Sequence, residues 1–600
     1  MVGSLPLPSF CRRLTRIAAL VLFACAAMAP SPWDARAIDA PAVADSADGT
    51  AFFYGGRGVV WDMPEAARAA EFTLEDIAEA GVTVVRVSAT RWLAPGGDRH
   101  AARVLARADS LDISVAADLP LAYRSADQIS AATDTLGAAL DRLAAIARRH
   151  DALAAVGLGR ALDTASPDMC PVLSSLAAEV EGRMPALSLY YVTPFRAASD
   201  RCASTVDGVL LDVRGLEDPL ERWRQWTERS DGPVAIAAAG AWVDPDAPSG
   251  LSVPHSAERQ ARALESMLTG WIPAIVDPLV AAATQRPATG ETAGGDRAGP
   301  TVFVFRWADT ESPLGRRYGL WTASSEARPA ASVVRGIYRG EQRVFAFPSG
   351  EPPGAEAPWA VLFGWFILIG MAALYARRPL FRRALGRYFM AHGFYRDSVR
   401  EGRDTVPVVN WIWLLAVGVA TGVVAAVIME VLAPSMIAER LVEALNAGLD
   451  HRVGTVITAP LTTGAFTAGI VVALLLVWSV IIGLTVRSWT ALRSDQVLML
   501  VAWPCWPALV WMGVALVTVS TETAGDPEAA GLLAAFSVLT AILSTVRVLR
   551  DVKAVTQMPG AVATLLALFS PAAVIAAFLA VGWAQADLPL DLLIHLMSQT

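Results

Sequence analysis

Six hundred residues are too many for one ordinary domain, and 54% apolar residues with a mean hydropathy of +0.43 exclude a wholly water-soluble chain. A formal net charge of −8 argues against nucleic acid as a partner, because a phosphate backbone calls for a basic face. The five cysteines show no metal-binding spacing: Cys11 and Cys25 fall in a leader, Cys505 in an apolar span, and Cys170 and Cys202 in the stretch between. A disulfide between the last two would persist outside the cell, but their spacing alone does not decide whether it forms.

Residues 1–37 read as a secretory signal. Arg12, Arg13 and Arg16 are its basic start, Ile17 to Ala29 its apolar run, and Ala35-Arg36-Ala37 a small-x-small cleavage site. Lipidation at Cys25, after Leu22-Phe23-Ala24, and an uncleaved anchor are the alternatives.

From residue 50 to 339, short β-branched or apolar runs alternate with helical segments. Ala51 to Trp61 is the first strand candidate, and a helix over Thr73 to Ala80 stops at Gly81. Val82 to Val87 is a strand of the kind buried on both faces, followed by a helix over Ala101 to Ala108 and a third strand, Ile113 to Asp118. Ser125 to Arg149 is a long helix opened by a capping box of Ser125 with Gln128 and carrying Leu136, Leu140, Leu143 and Ala147 on one face. Strands Ala154 to Leu158, Leu187 to Val192, Gly208 to Val213 and Val234 to Ala238 follow, separated by helices over Pro171 to Val180 and Leu220 to Thr227. Helix Ser256 to Leu268, an insertion from Thr284 to Pro300, strand Val302 to Trp307 and helix Ala330 to Tyr338 close the set. Eight strands alternating with helices predict a (β/α)8 TIM barrel, with a doubly wound sheet as the rival. No glycine-rich phosphate loop follows the first strand, and no cofactor is expected.

Three stretches carry a resemblance: the second-strand run Glu79-Ala80-Gly81 with VTVVRV, the run TVFVFRWADT from Thr301, and Tyr318-Gly319-Leu320-Trp321 followed by Arg328-Pro329-Ala330-Ala331. Together they resemble the retaining glycoside hydrolase barrels, the β-galactosidase-like and β-glucanase-like families, over roughly half of the chain. The resemblance implies an acid/base Glu in an Asn-Glu pair ending strand four and a nucleophilic Glu in a P-V-x-I-x-E-x-G run on strand seven. Here those places hold Arg160-Ala161 and, in Pro233 to Gly240, Ala238. Alanine neither attacks an anomeric carbon nor holds its charge. Asp163, Asp212 and Asp309 are the candidates for catalytic rescue. Arg86, Asp118, Asp212, Trp242, Trp307 and Asp309 are the expected ligand-binding residues, tryptophan to stack on a sugar and the others to bond hydroxyls; for Trp242 and Trp307 buried packing is the competing reading.

Residues 340–357 read as a Pro- and Gly-rich linker, and 358–376 as an uncharged stretch long enough to cross a bilayer. A basic loop over 377–409 follows, with Arg377, Arg378, Arg382, Arg383, Arg387, Arg396, Arg400 and Arg403. By the positive-inside rule that loop is cytoplasmic and the barrel lies outside, at a bacterial-type inner membrane; a specific contact with anionic lipid is the alternative reading of its charge. Five further spans are expected over 410–600: Trp411 to Leu432, Phe466 to Leu484, Val497 to Val519 with Pro504 and Pro507, Gly531 to Val546, and Ala561 to Trp583. An amphipathic segment, Ile437 to Leu449, lies in the connection over 433–461, and Glu522, Asp526 and Glu528 are expected outside. Arg487 and Arg493, then Arg547, Arg550 and Lys553, mark inner turns. Glu430 is the one charged residue within a span, near its end, which disfavours an ion-coupled transporter. Ser488 to Pro507 and Val546 to Thr556 make the last five spans look similar to the Yip1-like membrane domain.

The expectation is a membrane-anchored, non-catalytic glycosidase-like barrel that binds a glycan or a protein partner on the outer side; no metal is expected. An active glycoside hydrolase with relocated carboxylates and a structural membrane-assembly protein that binds no sugar are the alternatives.

Overall fold

The computed structural model describes residues 49–94, 96–216, 218–271, 299–310, 314–351, 359–403, 405–432, 435–446, 460–520, 527–586 and 592. The expected signal with Cys25, the body of the insertion over 284–300, the end of the linker over 352–357, part of the 433–461 connection, Glu522, Asp526 and the C-terminal tail lie outside them. The chain divides into two compact units, one carrying a barrel and the other the C-terminal helices.

The first unit is a closed eight-strand barrel, every strand parallel to its neighbours. The strands are β1 (Arg57–Val60), β2 (Val84–Ser88), β3 (Ser114–Asp118), β4 (Leu153–Arg160), β5 (Ser188–Thr193), β6 (Gly208–Asp212), β7 (Val234–Ala239) and β8 (Val302–Phe305). The helices between and after them are α1 (Ala67–Glu79), the single turn α2 (Thr90–Leu93), α3 (Asp98–Ser110), α4 (Ala126–Ala147), α5 (Met169–Arg183), α6 (Pro219–Thr227), α7 (Ala257–Trp271) and α8 (Pro329–Tyr338). Strands covered by side chains inside and helices outside have no wet face, so VVRV, SLYYVT and VAIAAA run almost without alternation. The capping box of α4 forms as expected: Gln128 N–H donates to Ser125 Oγ at 3.3 Å, and Ser125 N–H to Gln128 Oε1 at 2.9 Å.

The first strand is shorter than expected. Gly49–Phe53 is a 3-10 turn instead, and its Phe53 is wholly buried with Phe303, Tyr190 and Leu210 inside the barrel. Residues on its far side then meet the last strand: Thr301 N–H donates to Phe53 O and Gly55 N–H to Gly299 O, each at 2.8 Å. Cys170 and Cys202 are bridged, with Cα atoms 4.9 Å apart.

Among the described residues the second unit has five helices long and apolar enough to cross a membrane, and a sixth, bent pair. They are α9 (Trp359–Arg377), α12 (Pro407–Leu432), α14 (Pro460–Val486), the broken span of α15 (Ser494–Ala502) and α16 (Pro507–Ser520), and α17 (Pro527–Thr556). The pair α18 (Gly560–Leu568) and α19 (Pro571–Ala586) bends by 47°. Pro504 and Pro507 each lack a backbone donor, and the chain passes between α15 and α16 as a 3-10 turn, Trp503–Cys505. Small residues bring α12 and α14 together: a Cβ on Gly422 would stand 2.4 Å from Gly464 O.

Two differences from the sequence reading stand out. Helix α17 does not end at Val546 but runs on through Arg547, Arg550 and Lys553. The basic stretch after α9 is not a loop but two amphipathic helices, α10 (Pro379–Met390) and α11 (His392–Glu401), followed by a left-handed Gly402. Phe381, Tyr388, Tyr395 and Val399 on their apolar faces pack against Val497 to Trp503 and against Val548, Val552 and Val555. The amphipathic segment expected at Ile437 is helix α13 (Met436–Asn446).

Candidate functional site

Side chains at the C-terminal ends of parallel barrel strands converge on one mouth, which is where such barrels do chemistry. Register sets the deepest group there. Asp118 pairs with Gly157, and Gly157 with Tyr190, so the three stand in a row across β3, β4 and β5. Gly157 presents no side chain, and Tyr190 reaches over it to donate its hydroxyl to Asp118 Oδ1 at 2.6 Å. Arg86 on β2, 4% exposed, donates from Nε to Asp118 Oδ2 at 2.8 Å. Its Nη1 donates across the barrel to the carbonyl of Ala237 on β7. Burial, then the Asp118 charge beside it, pushes the Tyr190 hydroxyl well above its usual range, so it stays a donor.

Asp212 ends β6, and both its oxygens are taken by Arg214. The backbone N–H and Nε donate to Oδ1 at 3.2 and 2.9 Å, and Nη2 to Oδ2 at 2.7 Å. That guanidinium lies 4.3 Å from the centre of the Phe305 ring. Arg306, joined to Phe305 by a cis peptide, sets its guanidinium 4.4 Å from the same ring and pairs with Asp62 at 3.0 Å.

Asp309 lies beyond β8. Its Oδ1 accepts from Gly319 N–H at 2.8 Å and Arg328 Nη1 at 3.0 Å, and its Oδ2 from Arg328 Nη2 at 2.6 Å. Arg328 Nη1 also donates to Gly319 O at 2.6 Å, so this two-pronged pair ties the YGLW turn to the start of α8. Asp163 is buried in the loop after β4.

The two positions where the resemblance places glutamates are alanines with no room to spare. Ala161 is 2% exposed, with φ +49°, and donates its N–H to Val192 O at 2.8 Å. Ala238 is buried against Phe305 and Tyr318, with Val60 and Trp242 beside it.

Of the two tryptophans, Trp307 belongs to the packed core and its ring lies 6.0 Å from that of Trp321, while its backbone N–H donates to Val60 O. Trp242 is half-buried at the mouth. His255 stacks on it with centroids 3.5 Å apart, and the Arg316 guanidinium lies 5.0 Å from its ring. Desolvation, then the charges of Arg316 and Arg259, pulls the His255 pKa below its usual value. The structure thus joins Arg86 to Asp118 and sets Trp242 beside Ala238, but it gives Asp212 and Asp309 separate arginine partners. Sequence reasoning missed Tyr190, Gly157 and Arg214, and quoted Arg328 for the resemblance without giving it a role at the site. Only Arg214 had a local signal, the D-V-R spacing of Asp212-Val213-Arg214.

In the second unit it also missed Asp551. This carboxylate is wholly buried, and its Oδ1 accepts from His392 Nε2 at 2.9 Å and Arg396 Nη2 at 2.7 Å. Among the described residues no group of three or more His, Cys, Asp or Glu is placed to hold a metal ion.

No protein-family model and no curated protein matches the chain. Solved structures do. They include a GH2 β-galacturonidase from Eisenbergiella tayi, 15% identical with a TM-score of 0.39, over 49% of this chain and 52% of that one. A β-glucuronidase from an uncultured Clostridium sp. is 15% identical with a TM-score of 0.37, over 48% and 50%. A β-D-glucuronidase from Dictyoglomus thermophilum is 14% identical with a TM-score of 0.36, over 49% and 52%. The chain spans about half the length of these proteins, and likeness at this level carries no argument about activity or substrate.

Proposed function

We propose that the chain is a membrane-anchored, non-catalytic glycoside-hydrolase-like protein whose barrel, on the extracytoplasmic side, binds a glycan or a protein partner. One observation carries the non-catalytic part. Asp118, Asp212 and Asp309 each have both carboxylate oxygens engaged by donors of the same fold. A retaining glycosidase needs one carboxylate with a lone pair aimed at the anomeric carbon and a carboxylic acid about 5 Å from it. Carboxylates clamped by guanidinium and tyrosine hold the wall rather than supply either. Alanine at positions 161 and 238 agrees with this.

What remains at the mouth suits recognition. Phe305, Tyr318, Arg214 and Arg316 are buried beneath the mouth, and the half-buried Trp242 and Arg306 are the ring and the cation left to meet a ligand. Five apolar helices of bilayer length support the membrane anchor, and the basic elbow at 377–403 supports the orientation. The Yip1-like assignment of the last spans rests on the residues quoted for it alone.

Full-length protein incubated with a panel of 2-deoxy-2-fluoroglycosides tests the reading. No covalent mass increase is expected on the barrel, while a glycan array or pull-down returns a ligand that Trp242→Ala loses. An adduct on any barrel side chain overturns it.

A further inference from the structure

The second unit has an open cleft of about 330 Å³ between α10, the break in the α15–α16 span, and α17. Phe389, Trp506 and Leu543 form its apolar side; Tyr388, Ser544 and Arg547 form its polar side. Arg547 lies between the Tyr388 hydroxyl, which it hydrogen-bonds, and an ion cluster behind it. Asp551 Oδ1 is occupied by His392 and Arg396, and Arg547 Nε approaches Asp551 Oδ2 only to 3.6 Å while its side chain stays 41% exposed. Two arginines and a histidine therefore share one carboxylate, and of the three Arg547 lines the cleft.

The surroundings continue both chemistries. Helices α10 and α11 carry five arginines against two carboxylates. Beside them, Met390 is 90%, Phe394 70%, Leu543 57% and Phe389 48% exposed, an apolar surface on helices that join apolar spans. A cation at one end of an apolar cleft among candidate membrane helices matches an anionic lipid: phosphate on the guanidinium, the first carbons of an acyl chain on the rings. The volume suits a headgroup and the chain root, not a whole lipid.

We propose that this cleft binds an anionic phospholipid, with Arg547 and Ser544 taking the phosphate and Phe389, Trp506 and Leu543 the chain. The site depends on the helical unit lying in a membrane and is independent of any ligand of the barrel.

Full-length protein in mild detergent, titrated with phosphatidylglycerol or phosphatidylcholine and read by native mass spectrometry, tests it. Wild type is expected to retain phosphatidylglycerol at least tenfold more tightly, and Arg547→Gln to lose that preference. Leu543→Trp, which narrows the cleft and leaves the ion cluster whole, is expected to weaken both lipids, whereas Arg550→Gln, on an exposed face, changes neither. No preference in wild type, an unchanged preference in Arg547→Gln, or unchanged retention in Leu543→Trp overturns the proposal. Displacement of the lipid by inorganic phosphate at equal concentration also overturns it, by assigning the site to a free anion.

Discussion

Tyr190 on β5 donates its hydroxyl to Asp118 on β3, 2.6 Å away, over the top of β4, the strand that lies between them. Only the glycine at 157 makes room: a Cβ there would stand 2.4 Å from Asp118 Oδ1 and 2.8 Å from the Tyr190 ring. Gly157→Ala is therefore expected to destabilise the protein by about 1–3 kcal/mol, as overpacking does in a close-fitted interior. Tyr190→Phe, which leaves Asp118 Oδ1 without its donor, is expected to cost about 1–3 kcal/mol. Thermal unfolding of the detergent-solubilised chain measures both, and the double variant should cost less than the sum, because the two changes break one contact.

Arg86 spans three strands by bonding Asp118 on β3 and the Ala237 carbonyl on β7. Arg86→Ala leaves a largely buried carboxylate without its cation and is expected to destabilise by about 3–5 kcal/mol. A midpoint unchanged by this substitution would show that the pair contributes little.

The Cys170–Cys202 bridge joins α5 to the turn before β6 across 32 residues. Closing a loop of that length restricts the unfolded chain by about 3–4 kcal/mol on the chain-entropy account. Cys170→Ser with Cys202→Ser should lower the unfolding midpoint, and dithiothreitol should then have no further effect on it.

His255 is held neutral by desolvation first and by Arg316 and Arg259 next. Its folded pKa lies below the unfolded value of about 6.5, so the unfolded chain takes up the proton first as pH falls. The stability this neutral ring contributes is complete above about pH 6.5 and is lost as pH drops from there toward the folded pKa. His255→Gln should flatten that part of the stability curve, measured as the wild-type minus variant midpoint from pH 7.5 to 5.

Asp551 is the shared counter-charge for His392, Arg396 and Arg547, which come from α11 and from its own helix. Asp551→Asn should loosen the α10–α11 pair from α17 by about 1–3 kcal/mol, since the part-exposed Arg396 and Arg547 lose the buried carboxylate they share. Faster tryptic cleavage at Arg382, Arg383 and Arg387 reads this directly.

The barrel was legible because buried parallel strands and the helices that cover them leave different apolar periods in the chain. Strand Val82 to Val87 and the capping box at Ser125 are examples, recovered to within a residue or two. Element ends were less legible. Ala51 to Phe53 is as apolar as a strand, but it turns into the barrel to fill its interior. Arg547 and Arg550 look like a turn by charge, yet nothing in the residues stops the helix before Thr556. The elbow arginines read as a topology signal, and their density hid the period of Phe381, Tyr388, Tyr395 and Val399 that docks the pair.

Sequence alone determined that eight strand-helix repeats precede a set of apolar helices, because burial on a local element is written in the spacing of its own side chains. Tertiary structure alone decided what the carboxylates do. Asp309 meets Arg328 19 residues on, Tyr190 meets Asp118 72 residues away, and His392 meets Asp551 159 residues away. Those pairings follow from strand register and helix docking, which bring together residues whose separations along the chain carry no period of their own.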